Sequence, residues 1–119
     1  MENHLMIKNS IVLVPFPFDD FSVSKVRPAL CLTSEIGKYD HVIIAFISSN
    51  IPNDLVDSDL IIQRNSENFA GTGLAVDSVI RLHKIVTIPK NLIKRKLGEV
   101  NNSVEVAIEM KIRQLFQLD

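Results

Sequence analysis

The apolar runs in this chain are short, mostly rich in valine and isoleucine, and cut off by proline, glycine or clusters of polar residues. Valine and isoleucine together number 27 of 119 residues, and their branched Cβ favours extended backbone over helix. Such runs cannot supply the long amphipathic periods of a helical bundle. They predict a mainly β protein built from short strands joined by tight turns.

The strand signals fall in order. Ile11-Val12-Leu13-Val14 ends at Pro15-Phe16-Pro17-Phe18, where two prolines forbid regular ladder pairing. A polar loop follows, and a second strand is expected from Val26 through Thr33. Glu35 to Asp40, with Gly37, reads as a turn. His41 to Ile47 is the longest apolar run and is expected to be a central strand buried on both faces. Ser48-Ser49-Asn50-Ile51-Pro52 breaks it and leaves hydroxyls at a strand end. Asp59 to Ile62 is a further short strand, Phe69 to Gly73 a glycine-rich turn, and Ser78 to Ile88 one long strand, or two with a bend, stopped by Pro89.

The period changes only at the end. Asn102-Ser103-Val104-Glu105 has the form of a helix cap, and Val104, Ala107, Ile108, Ile112, Leu115 and Phe116 share one helical face. The expected architecture is five to seven strands in a small barrel or strongly curved sheet, closed by one amphipathic helix. At 13.4 kDa, with 46% apolar and 23% charged residues and no repeat or linker, residues 1–119 read as one domain.

Composition also excludes. No apolar run approaches the ~18 residues of a membrane span, and the first nine residues lack the features of a secretory signal, so no membrane association and a cytoplasmic location are expected. Cys31 is the only cysteine and sits in an apolar run, which makes it a small buried hydrophobe. His4, His41 and His83 stand far apart, so no metal site is expected. Gly71-Thr72-Gly73 lacks the lysine of a phosphate loop, Gly98 is isolated, and no cofactor is expected.

The net charge of −1 conceals an uneven distribution. Residues 81–119 carry eight basic against four acidic groups, and Arg81, Lys84, Lys90, Lys94, Arg95 and Lys96 could form a local polyanion-binding face or simply a solvated one. Three further features bear on phosphate chemistry. Arg27 precedes Pro28, which favours an extended mouth-of-strand position for a two-donor guanidinium. Ser48 and Ser49 offer hydroxyl donors, or else cap a turn. Arg81 and His83 are two apart on an expected strand, so they leave one face about 7 Å apart, as a phosphate-handling pair or as an ordinary polar face.

Ile11 to Phe18, Lys25-Val26-Arg27-Pro28-Ala29-Leu30, Ile47-Ser48-Ser49 and Ser78 to Ile88, in that order and spacing, resemble the MazF/PemK family of bacterial toxins, from about Asn9 to Leu97. The resemblance implies an SH3-like barrel with a C-terminal helix, a homodimer, a cognate antitoxin protein, and cleavage of single-stranded RNA without a metal. Carried over by position, the catalytic residues are Arg27, Ser48, Arg81 and His83. The residues expected to contact substrate are Phe18, Asp20, Ser22, Ser24, Lys25, Ser49, Asn50 and Lys84. Phe16, Phe18 and Phe21 suit base stacking, and Phe16 and Phe18 suit the core equally.

Two positions depart from the family pattern. His83 stands where one branch often carries an acidic residue proposed as general base. Asn9-Ser10 replaces a usual glycine and acidic residue, and asparagine tolerates the left-handed backbone that such a turn needs. In-line attack giving a 2′,3′-cyclic phosphate and a 5′-hydroxyl is the expected chemistry, with His83 as base, Arg81 and Ser48 holding phosphoryl charge and Arg27 serving the leaving oxygen. The competing readings are a toxin of the same barrel type that inhibits a protein such as DNA gyrase, and a degenerate member that only binds nucleic acid or a partner.

Overall fold

The computed structural model describes residues 7–15 and 25–118. Six strands form one antiparallel sheet: β1 (Ser10–Pro15), β2 (Val26–Cys31), β3 (His41–Ser48), β4 (Asp59–Ile62), β5 (Ser78–Pro89) and β6 (Arg95–Glu99). Their order across the sheet is β4-β5-β3-β2-β1-β6, and the chain ends in helix α1 (Asn102–Leu115). This is the mainly β, strongly curled half-barrel with a terminal helix that the sequence pattern predicts.

Side-chain alternation divides the sheet into two faces, and both are apolar. Ile11, Leu30, Ala45, Ile47, Ile80 and Leu82 meet Val104 and Ile108 of α1. Val12, Val14, Ala29, Cys31, Val42, Ile44 and Ile88 form a second cluster on the opposite face. Cys31 is fully buried there, and burial pushes its thiol up to about 11 against the pull of Lys96. Among the described residues no helix is long and apolar enough to cross a membrane.

Two irregularities curl the sheet. Between β1 and β6 the register steps from Ile11↔Gly98 to Val12↔Lys96, so Leu97 is an extra residue. Between β3 and β5 it jumps from Ala45↔Ile85 to Phe46↔Arg81, leaving Leu82, His83 and Lys84 without a β3 partner. Bulges of this kind bend a strand and increase its twist. The second also changes the sides of β5: Ile80 and Leu82 serve the helix-side cluster, Val86 and Ile88 the other. The expected bend in the long strand is therefore a three-residue slip.

The structure adds one strand that the sequence reading passed over. β6 is basic and contains Gly98, which disguises it as a solvated segment. Gly98 has a packing reason: a Cβ there would lie 2.1 Å from the carbonyl oxygen of Gly71. The glycine turn after β4 thus lies directly on β6, and the Glu99 amide donates to the Gly71 carbonyl at 2.9 Å. Thr72, fully buried, fixes that turn by donating to the Phe69 carbonyl at 2.7 Å. The turn joins the two ends of the sheet.

Smaller differences follow local hydrogen bonding. β2 ends at Cys31 rather than Thr33, and the Thr33 hydroxyl accepts from the Ile43 amide at 3.2 Å. The helix cap is Asn101, one residue earlier than expected, its side chain accepting from the Val104 amide at 2.8 Å. Asn9 adopts φ 73°, as the turn before β1 requires.

Candidate active site

The sheet register determines which functional side chains can meet. Arg27 pairs with Val14, Ala29 with Phe46, and Phe46 with Arg81, and cross-strand partners share a face. Ser48 follows Phe46 by two residues and lies on the same face. Arg27, Ser48 and Arg81 therefore converge on the face opposite helix α1. They line a hollow of about 170 Å³ together with Phe46, Ile47 and Lys84. Lys84 reaches it from the three-residue slip in β5.

Four of the residues singled out from sequence are thus brought together: Arg27, Ser48, Arg81 and Lys84. The Ser48 hydroxyl also sits in a local turn, accepting from the Asn50 amide at 3.0 Å and donating to the Asn50 carbonyl at 3.3 Å. Ser49 turns away into a wider polar recess with Gln63, Arg64, Asn65, Val76 and Asp77. Asn50 and Lys25 are exposed. Phe18, Asp20, Ser22 and Ser24 lie outside the described residues.

His83 does not line the hollow. Its Nδ1 is 2.8 Å from the Ser58 hydroxyl and 4.0 Å from Asp59 Oδ1, with the imidazole 30% exposed. Asp59 is the functional candidate that the sequence reading missed. Its side chain is 1% exposed and accepts from both Arg81 Nε at 2.8 Å and Arg81 Nη2 at 3.1 Å. It also accepts from the Val56 amide at 3.0 Å. The available signal was register: an acidic residue opening a short strand pairs with the strand that carries Arg81.

The electrostatics follow from those contacts. Burial raises the Asp59 carboxyl, but the Arg81 hydrogen bond, the Val56 amide and the charges of Arg81 and His83 overcome it, so it titrates below its ordinary value. Arg81 is raised by the hydrogen bond to Asp59, which outweighs its partial burial. Arg81 is therefore a fixed, oriented cation whose charge is partly balanced within the protein. Two other basic residues of the expected polyanion face are also paired, Lys90 with Glu35 and Lys96 with Glu99. Among the described residues no group of three or more His, Cys, Asp or Glu side chains gathers as metal ligands would.

The sequence model of the PemK-like, MazF-like toxins of type II toxin-antitoxin systems matches residues 8–116. The chain belongs to this family. Solved structures agree with the fold. A Mycobacterium tuberculosis toxin, MazF-mt6, is 24% identical and superposes with a TM-score of 0.69 over 92% of this chain and 98% of its own. A mycobacterial endoribonuclease in complex with its cognate antitoxin is 12% identical, with a TM-score of 0.66 over 95% of this chain and 96% of its own. Another Mycobacterium tuberculosis toxin is 22% identical, with a TM-score of 0.63 over 87% and 97%. No curated protein sequence matches the chain. In this MazF/PemK-like toxin the hollow lined by Arg27, Ser48, Arg81 and Lys84 is the concentration of phosphate-type donors that the register explains.

Proposed function

We propose that this toxin is a metal-independent, sequence-selective endoribonuclease acting on single-stranded RNA. The observation that carries the reading is the hollow in which two guanidiniums, one ammonium and one hydroxyl converge from β2, β3 and β5. RNA cleavage by its own 2′-hydroxyl needs a proton acceptor, donors for the phosphoryl oxygens and a donor for the departing 5′-oxygen. Arg81, oriented by Asp59, together with Ser48 and Lys84 suits the phosphoryl oxygens. Arg27 suits the leaving oxygen. His83, which faces the Asp59 carboxylate that orients Arg81, suits the 2′-hydroxyl proton.

The atoms balance without a cofactor. The 2′-oxygen forms a bond to phosphorus as the 5′-oxygen leaves, and the proton lost at the 2′-position is replaced at the 5′-position. The products are a 2′,3′-cyclic phosphate and a 5′-hydroxyl. A cognate antitoxin that covers this face, and a homodimeric toxin, belong to the same reading. Support for the antitoxin comes from the family and from the related mycobacterial complex.

The test is cleavage of a long unstructured RNA in EDTA, with the ends mapped. Discrete cuts with 5′-hydroxyl ends, lost in Arg27→Ala, are expected. Products with 5′-phosphate ends would refute the chemistry. A second reading, a toxin that binds without cutting, draws on the Asp59 carboxylate, which engages two donors of Arg81. No cleavage by folded wild-type protein on several RNAs would favour it.

A further inference from the structure

We infer that Ser58 and Asp59 form a tautomer lock on His83, holding the proton on Nδ1 and leaving Nε2 as the unprotonated, basic nitrogen. The inference deepens the proposed ribonuclease reading and rests on it for its catalytic consequence. The juxtaposition itself is independent of that reading. A hydroxyl at 2.8 Å and a carboxylate oxygen at 4.0 Å both face the same ring nitrogen.

A neutral imidazole carries one N–H, and its position is set by what the other groups offer. A serine hydroxyl can either donate to Nδ1 or accept from it. The nearby carboxylate decides between these. Asp59 titrates below its ordinary value and so is an anion at neutral pH. An anion on that side of the ring favours a positive N–H dipole there over a lone pair. The hydroxyl then accepts from Nδ1–H, and Nε2 bears the free lone pair.

The lock is built into rigid structure. Ser58 is 6% exposed, and its carbonyl accepts from the Leu82 amide at 3.1 Å, which continues the β4–β5 pairing next to the slip. Asp59 is held by Arg81 and by the Val56 amide. The slip itself frees His83 from β3, so its ring can lie along the β4 edge. Asp59 faces the ring and is itself bound by Arg81, while Asp57 and Lys111 line the recess beside Ser58. Ser58 and Asp59 act as positioning residues and need not touch RNA.

The catalytic consequence is a base presented in one form. If the proton sat on Nε2, that nitrogen would offer the 2′-hydroxyl a donor instead of an acceptor. Histidine free in water favours the Nε2–H tautomer, so the lock acts against the intrinsic preference.

The experiment is 15N NMR of the histidines in folded full-length protein above neutral pH, with His83 assigned from a His83→Gln variant. In the wild type, the expected spectrum has Nδ1 protonated and Nε2 bare. In Ser58→Ala the population is expected to shift toward Nε2–H. The cleavage rate should fall about tenfold through kcat, with KM unchanged, since RNA contacts are untouched. Ser58→Thr, which keeps the hydroxyl, should restore both readouts.

A wild-type His83 protonated mainly on Nε2, or a tautomer unmoved by Ser58→Ala in a protein that retains its circular dichroism spectrum, would overturn the lock. The two levels fail separately. A His83→Gln protein that cuts RNA at the full rate would overturn the assignment of His83 as base, whereas the ring spectrum reports the lock whether or not RNA is cut.

Discussion

Replacing Arg81 by methionine isolates the energetics of the Asp59 pair. Methionine keeps much of the side-chain volume and removes both donors, leaving a carboxylate with 1% exposure and only the Val56 amide as a hydrogen-bond donor. Breaking a buried ion pair costs about 3–5 kcal/mol when the stranded charge stays dry. Here the loss falls at or below the bottom of that range, because the guanidinium is 20% exposed and water can follow into its place. The expected loss at pH 7.5 is therefore about 2–3 kcal/mol.

Its pH dependence has a definite sign. In the wild type the Asp59 carboxyl lies below its ordinary value, so its contribution is complete above the ordinary carboxylate range and disappears as pH falls through the lowered value. In Arg81→Met the opposing effect of burial prevails, which moves the carboxyl upward and makes ionisation a cost that acid removes. Urea unfolding followed by circular dichroism should show the gap between the two proteins narrowing as pH falls from 7.5 toward 4, because acid relieves the variant's stranded carboxylate, while the wild-type contribution persists until pH drops through the lowered value. A gap that is small at pH 7.5, or that does not change with pH, would refute this account of the pair.

Gly98→Ala should destabilise by about 2–3 kcal/mol, because its Cβ meets backbone that cannot rotate away, the Gly71 carbonyl at 2.1 Å; an unchanged melting temperature would contradict the close approach. Asn101→Ala removes the cap on Val104 and the hydrogen bond to Asn68, and about 1 kcal/mol should be lost in urea unfolding. The Cys31 thiol, fully buried and pushed up to about 11, should resist a disulfide reagent at pH 8 and react only when urea unfolds the protein. Labelling of the native protein within minutes would be inconsistent with its place in the core.

The parts of the fold that were legible in the sequence are those with a local cause. Four runs of β-branched residues became β1, β3, β4 and β5 because alternation and turn residues mark them at both ends. Helix α1 followed from its apolar stripe and an asparagine cap. β6 was hidden because its reason for being a strand is remote: Gly98 is needed for the backbone of Gly71, 27 positions earlier by residue number. The same holds at the site. Arg27, Ser48 and Arg81 could be named one by one, but Asp59 becomes visible only through the antiparallel register that sets it against Arg81. The three-residue slip in β5 depends on curvature, which a period-two pattern does not encode, and it is what carries Lys84 into the hollow and sends His83 to Ser58.

The pairing of β1 with β6 also governs when the molecule can exist. Ser10 lies against Glu99, so β1 waits for residues 16–94 to be made before its outer neighbour exists. Until residues 95–99 and then α1 leave the ribosome, the meander of β1, β2 and β3 has an open edge and an uncovered apolar face. Closure between distant strands is entropically slow, since the loop must be ordered before its contacts reward it. A chain built this way gathers Arg27, Ser48, Arg81 and Lys84 once β5 is made but closes its sheet only with β6, so a chain cut off before β6 should keep an open edge and an uncovered apolar face.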